Sequence, residues 1–190
     1  EFADSLARAT RASVSPTVAE GFQLTLWAPE QLISDPIGMS IDSLGRMYVT
    51  RTTRTTRSEL EIRRHTDWMI ESMTWTDVED RRRFYMTELA PARSAQNQWL
   101  TDYNGDGSRD WRDLTVNKEA VWKISDSDGD GRADFSQKIL ESFNSEVSEP
   151  SQGLQLLNGE LFMTAAPNVW RLRDSDGDGL LGVQDSISHG

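Results

Sequence analysis

A strand-and-loop unit that occurs twice constrains this chain more than any other feature. Val121-Trp-Lys-Ile-Ser-Asp126-Ser-Asp-Gly-Asp-Gly131 reappears as Val169-Trp-Arg-Leu-Arg-Asp174-Ser-Asp-Gly-Asp-Gly179, an offset of 48 residues. Each copy is a short apolar strand running into an acidic, glycine-rich turn. That interval is close to the length of one four-stranded propeller blade, so the repeat predicts stacked antiparallel sheets. A second pair of segments agrees with it. Gly38-Met-Ser-Ile-Asp-Ser-Leu-Gly45-Arg-Met-Tyr-Val-Thr50 is matched by Gly153-Leu-Gln-Leu-Leu-Asn-Gly159-Glu-Leu-Phe-Met-Thr164, one residue shorter in its turn, and both read as hairpins.

The acidic turn itself occurs three times. Asp102-Tyr-Asn104-Gly-Asp106-Gly107 precedes the two copies above, which supply Asp126, Asp128 and Asp130, and Asp174, Asp176 and Asp178. Side-chain oxygens at positions 1, 3 and 5 with glycine at 6 suit calcium, a hard cation that needs several converging oxygens around a sharply bent backbone. The carbonyls of Ser108, Arg132 and Leu180 would supply position 7. Position 9 is Asp110 in the first loop, Asp134 in the second and Gly182 in the third, where water could substitute. Position 12 is Asp113, Gln137 and Asp185 in turn. Without metal, the same residues would form plain acidic turns, since Asp and Gly favour turns on their own. Threefold recurrence favours calcium in a structural role.

Composition narrows the function classes. A net charge of -11 repels phosphates and makes nucleic acid an unsuitable partner. The chain has no cysteine, which excludes disulfides, thiolate zinc sites, a cysteine nucleophile and covalent c-type haem attachment within these residues. No apolar run has the length of a membrane span. Loose calcium sites fill most readily where calcium is millimolar, so the expected address is periplasmic or extracellular.

Along the chain, residues 1–19 are polar and read as an irregular arm. Residues 20–190 read as the fold proper, and within them 51–120 is a helical and loop insertion that does not fit a blade. Phe22, Leu24 and Leu26 alternate with polar neighbours and predict a strand ending at Pro29. In the insertion, Thr76 and Glu79 predict a capping box. Val78, Phe84, Tyr85 and Leu89 fall on one helical face, and Pro91 ends the helix. The Arg81-Arg82-Arg83 run reads as the solvated side, with a basic patch for an acidic protein as the alternative. Trp68, Trp75, Trp99 and Trp111 read as anchors of this cap on its sheet.

The opening Gly21-Phe-Gln-Leu-Thr-Leu-Trp-Ala-Pro-Glu30, the hairpin containing Asp42-Ser-Leu-Gly-Arg-Met-Tyr-Val49 and the Val-Trp-x-[Ile/Leu]-x-Asp-Ser-Asp-Gly-Asp-Gly units together resemble a bacterial propeller family of membrane-bound dehydrogenases. That family is related to the soluble quinoprotein glucose and sorbosone dehydrogenases. His65-Thr-Asp-Trp68 and Asp110-Trp-Arg-Asp-Leu-Thr115 are similar to one branch of it. The resemblance runs from about residue 20 to Gly190 and implies a six-bladed propeller with pyrroloquinoline quinone (PQQ) near its axis, oxidising a sugar or alcohol. In that chemistry a histidine takes the hydroxyl proton while hydride passes to a quinone carbonyl polarised by calcium. The family's base lies in a His-x-Ser-Gly-like motif that does not occur here. The histidines are His65 and His189, and His189, the one near the region where the resemblance expects the base, is the candidate for a catalytic role. The acidic loops fall on blade connections, apart from the quinone's calcium.

The expected fold is therefore mainly β: a partial propeller of about two blades of a six-bladed type, with a helical insertion and calcium loops. The expected function is the N-terminal scaffold of a quinoprotein sugar or alcohol dehydrogenase, with structural calcium, catalytic residues beyond Gly190 and PQQ only in a full-length protein. The alternative is a non-catalytic, calcium-stabilised subunit that docks on another protein chain or on the rest of its own propeller. A calcium module of dockerin or thrombospondin type, or an integrin-like propeller with calcium loops inside its blades, is the third reading. Val121-Trp-Lys-Ile, a strand where a dockerin needs a helix, argues against it. Gly-x-Ser-x-Gly, P-loop and His-Glu-x-x-His motifs do not occur.

Overall fold

The computed structural model describes residues 2–188 apart from Thr56, Glu59 and Glu61. Eight strands form two sheets of four, each an antiparallel meander in chain order. The first sheet is β1 (Pro36–Ile41), β2 (Met47–Arg51), β3 (Glu119–Ser125) and β4 (Phe135–Ser142). The second is β5 (Ser151–Leu157), β6 (Glu160–Ala165), β7 (Asn168–Arg173) and β8 (Gly182–Ser188). Both sequence hairpins form, as β1–β2 and β5–β6, and the two Val-Trp segments become β3 and β7.

Turn chemistry fixes the hairpin registers. Asp42 closes the first turn, its Oδ1 accepting from the backbone N–H of Leu44 and Arg46 at 2.9 Å each and its Oδ2 from Arg46 Nε at 2.6 Å. Asn158 and Gly159 close the second with φ of 52° and 83°, the pair of left-handed residues that a two-residue hairpin turn needs.

The sheets pack face to face. Val121, Ile139, Leu140 and Tyr48 of the first, with Phe143 just after β4, meet Leu154, Leu161, Met163 and Leu172 of the second in one apolar cluster. At the junction β1 runs against β5 so closely that a Cβ on Gly38 would lie 2.6 Å from the carbonyl oxygen of Gln152. Ser40 Oγ accepts from Leu156 N across the same junction at 2.9 Å. A separate cluster lies on the far side of the first sheet, where Trp27, Ala28, Leu32 and Ile33 cover Val49, Ile124 and Ala133.

Two sequence expectations near the N-terminus are corrected. Phe2–Ser13 is a helix, α1, in the segment read as an irregular arm. Phe22–Leu26 forms no strand, and Phe22 and Leu24 are exposed. Alternation alone does not make a strand: its N–H and C=O groups need a neighbouring sheet edge, and none of the described strands lies beside this segment.

The insertion between β2 and β3 builds its own core. It carries α2 (Thr66–Ser72), α3 (Val78–Glu88) and 3₁₀ turns at Ile62–Arg64, Pro91–Arg93 and Trp111–Thr115. Phe84, Tyr85 and Leu89 of the expected face pack with Leu60, Trp68, Leu100, Leu114 and Val147. The cap of α3 is one residue later than predicted. Asp77 is the N-cap and accepts from Asp80 N at 2.8 Å, while Asp80 Oδ2 accepts from Thr76 N at 2.9 Å. Aspartate caps better than threonine, so Asp77 takes the position and Asp80 replaces Glu79 as the reaching side chain.

The arginine run clamps more than it solvates. Arg81 pairs with Glu149 at 3.0 Å, Arg82 with Glu146 and Glu79, and Arg83 with Asp80. Glu146 and Glu149 lie in the β4–β5 connection, so two of the three arginines tie α3 to the sheets. Arg54, fully buried, donates to the carbonyls of Phe143 (3.0 Å), Ser145 (3.1 Å) and Leu114 (3.3 Å). Glu119, also fully buried, accepts from Thr52 Oγ1 at 2.5 Å and from Ser151 N and Oγ at 2.8 and 2.6 Å. Among the described residues no helix is long and apolar enough to cross a membrane.

Candidate metal sites

The three acidic loops share one hydrogen-bond frame. In each, the position-1 aspartate caps two amides: Asp102 accepts from Gly105 N at 2.7 Å and Gly107 N at 2.9 Å, Asp126 from Gly129 N at 2.7 Å and Gly131 N at 2.8 Å, Asp174 from Gly177 N at 2.7 Å and Gly179 N at 2.9 Å. The position-3 side chain accepts from the position-5 amide, as Asn104, Asp128 and Asp176 do. The position-5 aspartate accepts from the position-7 amide, so Asp106 holds Ser108, Asp130 holds Arg132 and Asp178 holds Leu180. Glycines at positions 4 and 6 have φ between 72° and 86°, a backbone region that side-chain-bearing residues rarely adopt.

This frame winds the loop around a point onto which the side chains converge. Asp126, Asp128 and Asp130 bring one carboxylate oxygen each within 4.8 Å of the others, and so do Asp174, Asp176 and Asp178. Three oxygens at that spacing fit one hard cation, and the cluster of like charges is what such an ion neutralises. The backbone N–H of Gly131, burial and the N–H of Gly129 act on Asp126, and the hydrogen bonds prevail, holding it below the ordinary value of 3.8. At Asp174 burial pushes the pKa up, but the N–H groups of Gly179 and Gly177 outweigh it and the net shift is again downward. These two carboxylates are thus kept charged and aimed.

Positions 9 and 12 behave differently. Asp113, fully buried, accepts at Oδ1 from the amides of Tyr103 (2.8 Å) and Asn104 (3.2 Å) and at Oδ2 from that of Asp110 (3.0 Å). Asp110, fully buried, accepts from Arg112 N and Ser108 Oγ at 3.0 and 2.6 Å. Together they form a reciprocal cap that starts the Trp111–Thr115 turn. Asp134 is engaged by Ser127, through N at 2.8 Å and Oγ at 2.6 Å, which lowers its pKa. Gln137 lies within β4, opposite Lys123. Asp185 is paired with Arg171 in the β7–β8 ladder and its side chain lies outside the described residues, as does the whole of His189.

His65 belongs to the insertion, away from any sheet. Its ring stacks on Trp68 at 4.2 Å and meets Trp99 at 4.2 Å, and burial lowers its pKa. It lines a cleft of about 440 Å³ with Arg57, Arg63, Arg64, Trp99 and Tyr103. Sequence reasoning missed this grouping of cations and rings. The basic stretch 51–64 was the available signal, but nothing in it points to Trp99. Trp68, Trp75 and Trp111 join the insertion's own core, so they hold the cap together internally rather than pinning it to a sheet.

A family model described as a domain of unknown function (DUF7133) matches residues 9–190. No curated protein and no solved structure matches.

Proposed function

The chain belongs to the DUF7133 family, and for this member we propose a scaffold role: consecutive blades of an extracytoplasmic quinoprotein sugar or alcohol dehydrogenase-like propeller, stabilised by calcium in its acidic loops. The observation that carries this reading is the repetition of a whole sheet. Both four-stranded meanders pair their strands in the same order, and in each a Val-Trp strand leads toward an Asp-Ser-Asp-Gly-Asp-Gly loop. A calcium ion would be held by Asp126, Asp128 and Asp130, and another by Asp174, Asp176 and Asp178, with Asp102, Asn104 and Asp106 as the related first loop. Its contribution would be to cancel carboxylate repulsion and fix the path from β3 into β4 and from β7 into β8.

The described residues do not fit the quinone. The described histidine is packed between two tryptophans in the insertion, so no proton-transfer step is assigned to this chain. A second reading, a non-catalytic interaction module, is favoured by the bare apolar side of β1, where Ile37, Met39 and Ile41 are exposed.

Thermal melting in calcium and in chelator tests the scaffold claim. An ion at a hundred times its dissociation constant adds about 2.7 kcal/mol, so the calcium melt is expected several degrees higher. Coincident melts would sink the calcium claim. Supplying the chain with PQQ and an oxidisable sugar is expected to give no turnover. Turnover would overturn the scaffold reading.

A further inference from the structure

The basic stretch that opens the insertion has no task in a calcium-stabilised scaffold. It reads Arg51-Thr-Thr-Arg54-Thr-Thr-Arg57, with Arg63 and Arg64 close behind, in a chain of net charge -11. Its middle arginine is turned inward. Buried Arg54 donates to the carbonyls of Phe143, Ser145 and Leu114, its N–H donates to Thr52 Oγ1 at 3.1 Å, and its carbonyl accepts from the N–H of Arg57 at 2.8 Å. One arginine thus fixes the backbone that carries its two neighbours.

Those neighbours line a continuous surface. Arg57 is exposed and lies in the cleft of His65, Trp99 and Tyr103 with Arg63 and Arg64. A groove of about 460 Å³ adjoins it, lined by Asp35, Arg51, Thr52 and Thr53 and sharing Thr55 and Arg57 with the cleft. Four arginines and one acid, Asp35, line the two together, so this surface is cationic on an acidic molecule. A concave surface of one sign focuses the field on an incoming counter-charge.

The cleft also holds an open ring face. Trp68, Trp75 and Trp111 belong to the insertion core, but Trp99 lies outside it and is 45% exposed. His65 at 4.2 Å and Trp68 at 5.9 Å brace its ring. Guanidinium forks match the paired oxygens of a carboxylate or sulfate, and an indole face offers apolar contact beside them. Thr55 and Thr101 add exposed hydroxyls, while Leu60 and Leu100, the aliphatic members of the lining, are buried in the insertion core. A peptide would ask for a desolvated apolar pocket to anchor a side chain. Rings, hydroxyls and guanidinium groups instead suit a polyhydroxylated anion.

We propose that this surface binds an acidic saccharide, one bearing carboxylate or sulfate ester groups. A sugar ring lies against Trp99, its anionic groups meet Arg57, Arg63 and Arg64, and a longer ligand continues along the groove to Arg51. The site stands on the insertion and the end of β2, and requires neither calcium nor dehydrogenase-like blades.

Isothermal titration of the full chain tests it, carried out in chelator so that calcium cannot bridge an anionic sugar to the acidic loops. The probes are an oligogalacturonate, a sulfated oligosaccharide, a neutral oligosaccharide of the same length, an oligo-aspartate and an oligothymidylate. An acidic saccharide is expected to bind best, more weakly as salt is raised, and the stronger of the two identifies the anion. Arg57→Ala and Trp99→Ala, both at exposed positions, should each weaken it on the order of tenfold, with Trp99→Phe recovering part of the loss. Arg83→Ala, an exposed arginine of α3 outside the cleft, should leave it unchanged. The proposal is overturned if neither acidic saccharide binds, if the neutral sugar binds as well, if oligo-aspartate or oligothymidylate binds more tightly, or if Arg83→Ala costs as much as Arg57→Ala. Binding that appears only with calcium would move the ligand to the acidic loops and overturn it too, whereas coincident melts in calcium and chelator would leave this readout intact.

Discussion

Asp113 shows how a residue predicted for one task can be committed to another. Its spacing from Asp102 suits a final metal ligand, yet its carboxylate is buried and holds three backbone amides of the first loop. Hydrogen bonds to a charged group contribute about 1.5–3 kcal/mol, and stranding buried amides adds to the loss. Asp113→Ala is therefore expected to lower the unfolding free energy by about 3 kcal/mol in urea titration, even in chelator. Spacing made positions 1, 3 and 5 legible because local turn geometry dictates them. The fate of positions 9 and 12 depended on burial, which spacing does not encode. The pH dependence follows from the same side chains. Asp126, Asp134 and Asp174 have folded pKa values below the ordinary 3.8, so the stability they contribute is present above that value. It is lost as pH falls through their depressed values. Melting temperatures measured without calcium should hold steady down to about pH 4 and fall below it.

At the scale of elements, the strands that sequence located best were those with a partner nearby in the chain. β1 with β2 and β5 with β6 announced themselves through alternation and turn residues. Phe22–Leu26 carries the same alternation and stays unpaired, since pairing is a property of two segments. The helix α3 was legible from its apolar face, while its cap shifted by one residue because two acceptors, Thr76 and Asp77, compete side by side. Phe84 stands at the centre of the insertion core, with Trp68 and Trp75 both 5.2 Å from its ring. Phe84→Ala should cost about 3–5 kcal/mol. At the sheet junction, Gly38→Ala should cost about 1–3 kcal/mol by forcing β1 away from β5. Denaturant unfolding followed by tryptophan fluorescence reads both.

For the molecule as a whole, the repeat made the two-sheet plan visible, but nothing local revealed how the insertion attaches. That attachment runs through the β4–β5 connection. Phe143 sits in the inter-sheet core and offers its carbonyl to Arg54, Glu146 and Glu149 receive Arg82 and Arg81, and Val147 enters the insertion core. These partners lie some sixty to ninety residues away along the chain. Contacts so distant form only after the intervening loop is closed, so they belong to late steps of folding. The insertion, although it comes earlier in the polypeptide, has to wait for β4 and the turn beyond it. A ribosome that has delivered Leu114 has delivered most of the insertion's apolar side chains but not Val147 or the acids that dock it. Until Glu149 emerges, that stretch is a cluster of tryptophans without its lock.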